Sequence, residues 1–284
     1  MKNIFYKFLS FKLYGLLVIV LFSSCEKHDF FDENLITGKV GPQAYWEIES
    51  TTMSAGSDMS FVLQYYSTVS DITHTELWYN VTETQEKTVT CPWVTSFTYS
   101  YTSTQSEEKR VSQKVQEYPH SLAAWSDTLR AYTFTSDFTV SRTLAPLSWM
   151  KPEQFDSTKM ETYFGADFMQ QFKDSLYDLM KYADFKNMIL GLSLLEDFKQ
   201  YTDSTFDINS DSYVYHFPKD EQGNTPVPEV IKGLYDGIAF DHLIEGTSGY
   251  NVEYKRTYYI QALLRVYDKQ GVYGTTILKK IDIN

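Results

Sequence analysis

Few residues in this chain are spaced to do chemistry, and most groupings fail a simple test. Asp207, Asn209 and Asp211 alternate as the first ligands of an EF-hand calcium loop do, but the sixth position is Ser212 and the twelfth is Pro218, where Gly and Glu are needed. What is left is an irregular calcium candidate built from Asp203, Asp207, Asn209 and Asp211. The five histidines, His28, His74, His120, His216 and His242, are scattered with no i, i+4 pair, so no zinc motif exists. No Gly-x-Ser-x-Gly elbow is present, and no partner set surrounds Cys91. A glycosidase needs two carboxylates about 5–10 Å apart. With 37 acidic residues, the sequence singles out no such pair. No motif asks for a cofactor.

Aromatic residues are the remaining functional signal. The chain has 23 Tyr, 19 Phe and five Trp. Indole and phenol rings stack on the C–H faces of sugars and also anchor protein interfaces. Trp93, Trp125 and Trp149 fall in loops or at strand ends beside polar residues, and these are the candidates for stacking on a glycan. Trp78 sits in mid-strand, out of phase with Leu77 and Tyr79.

The positioning elements are mostly strands. Ala44–Ile48, Met59–Ser67, Thr75–Thr82, Lys87–Thr90, Phe97–Thr104, Lys109–Val115 and Leu129–Val140 read as short strands separated by turn residues, the pattern of a sandwich or barrel. Near Leu144 the pattern changes, with Pro146 and Pro152 bracketing the switch. Met169, Phe172, Leu176, Leu179, Met180 and Ala183 recur at helical spacing, as do Phe185, Met188, Ile189, Leu192 and Leu195. Three helical segments are expected between Ser157 and Tyr201, opened by a Thr158/Glu161 capping box and broken at Gly165 and near Asp184. Tyr213–Phe217 reads as another strand. Thr257–Asp268 alternates well, with Tyr258, Ile260, Ala262, Leu264 and Val266 on the inner face, and Tyr273–Ile283 returns as its partner. This closing pair resembles the last hairpin of an immunoglobulin-like domain.

The expected fold is therefore mainly β: an immunoglobulin-like β-sandwich from residues 42–145 plus 248–284, with a mainly α-helical insertion at 146–247. The alternative is a β-sandwich followed by a separate α+β domain. A sheet left open by the early strands needs a partner, which favours the insertion.

Composition narrows the partners. The 284 residues carry a net charge of −12, and no basic face is available for nucleic acid. There are two cysteines, Cys25 and Cys91.

The N-terminal 24 residues have the layout of an export signal. Lys2, Lys7 and Lys12 precede the apolar run Leu13–Phe22, which is too short to cross ~30 Å of hydrocarbon. Ser23 and Ser24 lead into Cys25. Leu21-Phe22-Ser23-Ser24-Cys25 resembles a bacterial lipobox, with Phe22 where Leu is usual. The resemblance implies cleavage before Cys25 and acylation of its thiol and new N-terminus. Several acyl chains at about 0.8 kcal/mol per CH₂ make a stable anchor. Glu26-Lys27-His28-Asp29-Phe30-Phe31-Asp32-Glu33 resembles the surface-export stretch of Bacteroidota lipoproteins, within a polar tether at 25–41. With Cys25 acylated, Cys91 has no partner for a disulfide. The resemblance to accessory surface lipoproteins implies a cell-surface, outer-membrane protein held by its N-terminal lipid. It implies a non-catalytic carbohydrate binder that works beside an outer-membrane transporter complex. A structural, adhesion or envelope-complex lipoprotein is the alternative, and a glycan hydrolase the third reading.

Overall fold

The computed structural model describes residues 40–284. Cys25, the leader at 1–24 and all of the tether but its last two residues lie outside the described residues. The strands are β1 (Gln43–Ile48), β2 (Thr52–Met53), β3 (Asp58–Tyr66), β4 (Ile72–Cys91), β5 (Tyr99–Pro119), β6 (Ala124–Ser126), β7 (Ala131–Thr139), β8 (Leu147–Met150), β9 (Asp203–Asp207), β10 (Ser212–His216), β11 (Glu245–Gly246), β12 (Gly249–Tyr250), β13 (Val252–Asp268), β14 (Tyr273–Thr275) and β15 (Lys279–Ile283). The helices are α1 (Ser157–Phe164), α2 (Phe168–Leu179), α3 (Tyr182–Gly191), α4 (Glu229–Asp236) and α5 (Phe240–Ile244). No described helix is long and apolar enough to cross a membrane.

The protein is mainly β, a two-sheet sandwich with a helical insertion. One sheet has the order β1-β3-β7-β6. The other runs β2-β15-β13-β4-β5, with β8 and β14 also paired to β13. The β4–β13 ladder stays in register from Val89↔Val252 to Thr75↔Val266. Side chains alternate across a strand, so odd positions of β4 share one face. Leu77, Tyr79 and Val81 on that face join Trp46, Phe61, Leu63, Phe134, Ile260 and Leu264 in the sandwich core. Val89 and Cys91, still on the same face, join Met160, Phe172, Leu176, Phe185, Met188 and Ile231 in a second core under the helices. One face of one sheet thus serves both lobes. The helical lobe is built on the far halves of β4 and β13, so it is not a separate domain placed after the sandwich.

Between the two cores that face turns polar. Glu83 accepts hydrogen bonds from Tyr258 Oη at 2.8 Å and Gln85 Nε2 at 2.7 Å, with Lys109 Nζ 3.6 Å away. This polar seam explains where the sequence reading divides too finely. Residues 83–87 (Glu-Thr-Gln-Glu-Lys) interrupt the apolar alternation, yet they pair with neighbours on both sides and remain strand. Thr75–Thr82 and Lys87–Thr90 are therefore one strand, β4, as Phe97–Thr104 and Lys109–Val115 are one strand, β5.

Other boundaries also move. Asp156, not Thr158, caps α1, its Oδ1 accepting from Lys159 N at 3.0 Å. The second helical break falls at Met180–Lys181, and Asp184 lies inside α3. Leu147–Met150, assigned to the insertion, is strand β8 and pairs with β13. Lys173 fixes α4 by donating to the carbonyls of Asp236 at 2.8 Å and Ile238 at 2.7 Å, a cation at a helix C-terminus.

Candidate functional site

A cleft with a volume of about 730 Å³ opens at the far end of the helical lobe. Two smaller hollows measure about 360 and 390 Å³. The cleft begins where β4 ends. Pro92 cannot continue the ladder, and the chain turns through Trp93 and Val94 toward β5.

A single carboxylate holds this turn. Asp184 is completely buried, at 0% exposure. Its Oδ1 accepts from Thr95 N and Ser96 N, both at 3.0 Å, and its Oδ2 accepts from Ser96 Oγ at 2.6 Å and Lys181 N at 3.0 Å. Burial pushes the Asp184 carboxyl up, but hydrogen bonds from the Ser96 hydroxyl and the amides of Lys181, Ser96 and Thr95 outweigh it and leave the pKa below the usual range. The ionised form therefore ties the turn to the first turn of α3.

The indole of Trp93 is fixed at both ends. Its Nε1 donates to His242 O at 2.8 Å, joining the turn to α5. Its benzo edge abuts Gly191, the last residue of α3, where an added Cβ would sit 2.5 Å from Cζ3. Glycine at 191 is what gives that edge room. The opposite wall is the hairpin β11–β12, in which Glu245 pairs with Tyr250 and Gly246 with Gly249 around Thr247 and Ser248. Asn251 closes that wall, its N and Nδ2 both donating to Ile244 O at 3.0 and 3.1 Å. The cleft thus presents one indole with Ser193, His242, Glu245, Thr247, Ser248 and Asn251.

No Lys or Arg lines it, and Glu245 is its one carboxylate. Chemically the cleft offers an apolar plate and several hydrogen-bonding groups, suited to a neutral molecule rich in hydroxyls. An anion would meet Glu245 with no compensating cation. The paired carboxylates of glycoside hydrolysis are not assembled there.

The three tryptophans expected to stack on a glycan do not come together. Trp93 lines the cleft. Trp125 lies on edge strand β6 of the sandwich, 50% exposed, donating to Asp127 Oδ1 at 2.9 Å and edge-on to Tyr132. Trp149 is 9% exposed within the helical-lobe core, with Tyr163 at 5.9 Å and Lys159 Nζ over its ring at 5.7 Å. Its strand pairs with β13 through Trp149↔Tyr254, which buries the ring and removes it as a platform. Trp78 is on the outer face of the same sheet, with the Arg265 guanidinium 4.0 Å from its ring centre.

The calcium candidate also dissolves. Asp203 and Asp207 stand at opposite ends of β9, about 13 Å apart at ~3.3 Å per residue. Asp207 is spent on the hairpin turn, accepting from Asn209 N at 3.0 Å and Ser210 Oγ at 2.9 Å. A grouping that sequence reasoning missed is His74, Glu76 and Glu117 on the outer face, whose ligand atoms lie within 4.8 Å of one another. Lys114 Nζ already occupies it, at 3.0 Å from Glu76 and 3.1 Å from Glu117. Glu76 and Glu117 are cross-strand neighbours, a relation invisible before the register is known. Likewise, Gly191, His242 and Asn251 carry no local signal, though Gly246-Thr247-Ser248-Gly249 has the form of a tight hairpin turn.

No family model matches the chain, and no curated protein matches it.

Proposed function

We propose that the protein is a lipid-anchored, non-catalytic surface protein of a bacterial outer membrane, and that it binds neutral carbohydrate in the Trp93 cleft. The observation that carries this reading is a cleft lined by one fixed indole and six polar residues, without Lys or Arg. Such a plate takes the C–H face of a pyranose, and the amide, hydroxyl and carboxylate groups take its hydroxyls. A single carboxylate supports binding over hydrolysis.

The anchor reading rests on Leu21–Cys25 and is compatible with the position of the cleft. The described chain enters beside Tyr273 and Gly274, which pair with β13 at the sandwich end. From His74, at that end, β4 runs 17 residues to Cys91, beside the cleft, or about 55 Å at ~3.3 Å per residue. A lipid at Cys25 would leave the cleft at the end of the molecule remote from chain entry.

A second reading, docking in an envelope or transporter complex, is favoured by the hairpin β9–β10. Among the described residues it pairs with no other strand, and it exposes Phe206, Tyr213 and Tyr215, with Ile208 at its tip 85% exposed.

The test is affinity electrophoresis of the protein through gels containing neutral or acidic polysaccharides, with added protease on intact cells. Retardation in a neutral gel and cleavage on intact cells are expected. Unretarded migration in every gel would discard carbohydrate binding and leave the docking reading. Protection on intact cells would discard the surface location.

A further inference from the structure

The second sheet ends on β5, and among the described residues no strand pairs with its outer side. A free edge offers N–H and C=O groups to any passing strand, and proteins shield such edges with charges and bulges. The two halves of β5 differ in this respect. From Glu107 onward the strand carries Glu107, Glu108, Lys109, Arg110, Lys114 and Glu117, and its register against β4 slips three times. From Tyr99 to Ser106 it reads Tyr-Ser-Tyr-Thr-Ser-Thr-Gln-Ser, without charge or proline, and pairs with β4 without interruption from Cys91 to Thr84. Half of the edge is shielded and half is left open.

The open half has an internal symmetry. Ser100, Thr102, Thr104 and Ser106 lie on one face as a row of exposed hydroxyls. Across the existing ladder, Ser100 already meets Thr90 and Ser106 meets Thr84, hydroxyl to hydroxyl at 3.0 Å each. The row Ser-Thr-Thr-Ser reads the same in both directions about Ser103. An antiparallel strand of the same sequence centred there sets Ser100 opposite Ser106 and Thr102 opposite Thr104. Hydroxyl pairs of this kind stabilise antiparallel sheets. On the other face Tyr101 meets Gln105, and no like charges are opposed.

We propose that residues 99–107 of β5 pair with the same residues of a second copy of this chain, antiparallel about a twofold axis at Ser103, joining two sheets into one. The contact rests chiefly on main-chain hydrogen bonds, so the dimer is reversible and depends on concentration.

The test is sedimentation equilibrium of the full chain in density-matched detergent, at micelle excess. Wild type is expected to dimerise. Thr102→Lys with Thr104→Lys brings lysine against lysine twice at the seam and weakens the dimer about tenfold or more. Thr102→Lys with Thr104→Glu sets each Lys against a Glu of the other copy and restores dimerisation. Thr102 and Thr104 are both exposed, and thermal melts report that both variants fold. A wild-type chain that stays monomeric overturns the proposal. So does a double-lysine variant that dimerises like wild type, or a Lys/Glu variant that fails to dimerise.

Discussion

Asp184→Asn tests how the candidate site is held. The substitution keeps the volume of a fully buried side chain and removes its charge. An amide has one oxygen where the carboxylate has two. Its cheaper orientation puts the NH₂ toward Ser96 Oγ, which can turn to accept, and keeps the oxygen toward the amides of Thr95 and Ser96. Lys181 N then faces a donor and loses its acceptor. One orphaned buried N–H costs about 1–3 kcal/mol. The two bonds that remain, from Thr95 N and Ser96 N, lose their charge assistance, at about 1 kcal/mol each. The total is about 3–5 kcal/mol, and at about 2–4 °C per kcal/mol for a chain of this size the melting temperature should fall by about 10 °C. Differential scanning calorimetry measures this directly. Because the same bonds anchor the turn that carries Trp93, tryptophan fluorescence at 25 °C, well below the transition, should shift to the red as the indole loosens. A melting temperature within about 2 °C of wild type would contradict a charged Asp184 holding the turn, since one orphaned donor alone costs more.

The other predictions are more local. Gly191→Ala puts a methyl 2.5 Å from the Trp93 ring, so the indole must swing outward, and retardation in neutral polysaccharide gels should drop while the melting temperature changes by a few degrees at most. Cys91 is 2% exposed and burial pushes its thiol up to about 11, so a thiol reagent at pH 8 should modify it only after denaturant is added. At Glu76, burial pushes the carboxyl up, but hydrogen bonds from Lys114, Trp78 and Tyr267 outweigh it and leave its pKa low. Its contribution, like that of Asp184, is present above the unfolded-state pKa near 4 and is lost as pH falls through the lower folded value. Melting temperature should therefore hold from neutral pH to about pH 5 and fall below about pH 4, less steeply in Glu76→Gln.

Local alternation was enough to read the strongest elements. Tyr258, Ile260, Ala262, Leu264 and Val266 are buried as their spacing predicts, because both faces of that strand answer to nearby packing. The length of β4 was not legible. Glu83, Gln85 and Lys87 occupy inward positions, and only the existence of two cores on one sheet explains polar residues there. Trp149 looked like an aromatic in a loop or at a strand end, since the strand that buries it comes about a hundred residues later. Asp184 resembled a helix break, for an acid at that point is equally a cap, and its four partners lie mostly in a distant turn. Trp93 was legible as an aromatic in a loop or at a strand end beside polar residues. Its cleft was not, because Gly191, His242 and Asn251 reach it from three separate parts of the chain.

Carbohydrate binding in the Trp93 cleft is decided by a side-by-side affinity gel of wild type, Trp93→Ala, Trp125→Ala and Trp149→Phe in the neutral polysaccharide that retards wild type most. Stacking on one ring is worth about 1–3 kcal/mol in comparable contacts, so Trp93→Ala should weaken retention by about tenfold or more. Trp125→Ala and Trp149→Phe should run as wild type. Full retention by Trp93→Ala, or loss confined to Trp125→Ala, would contradict the assignment of the cleft.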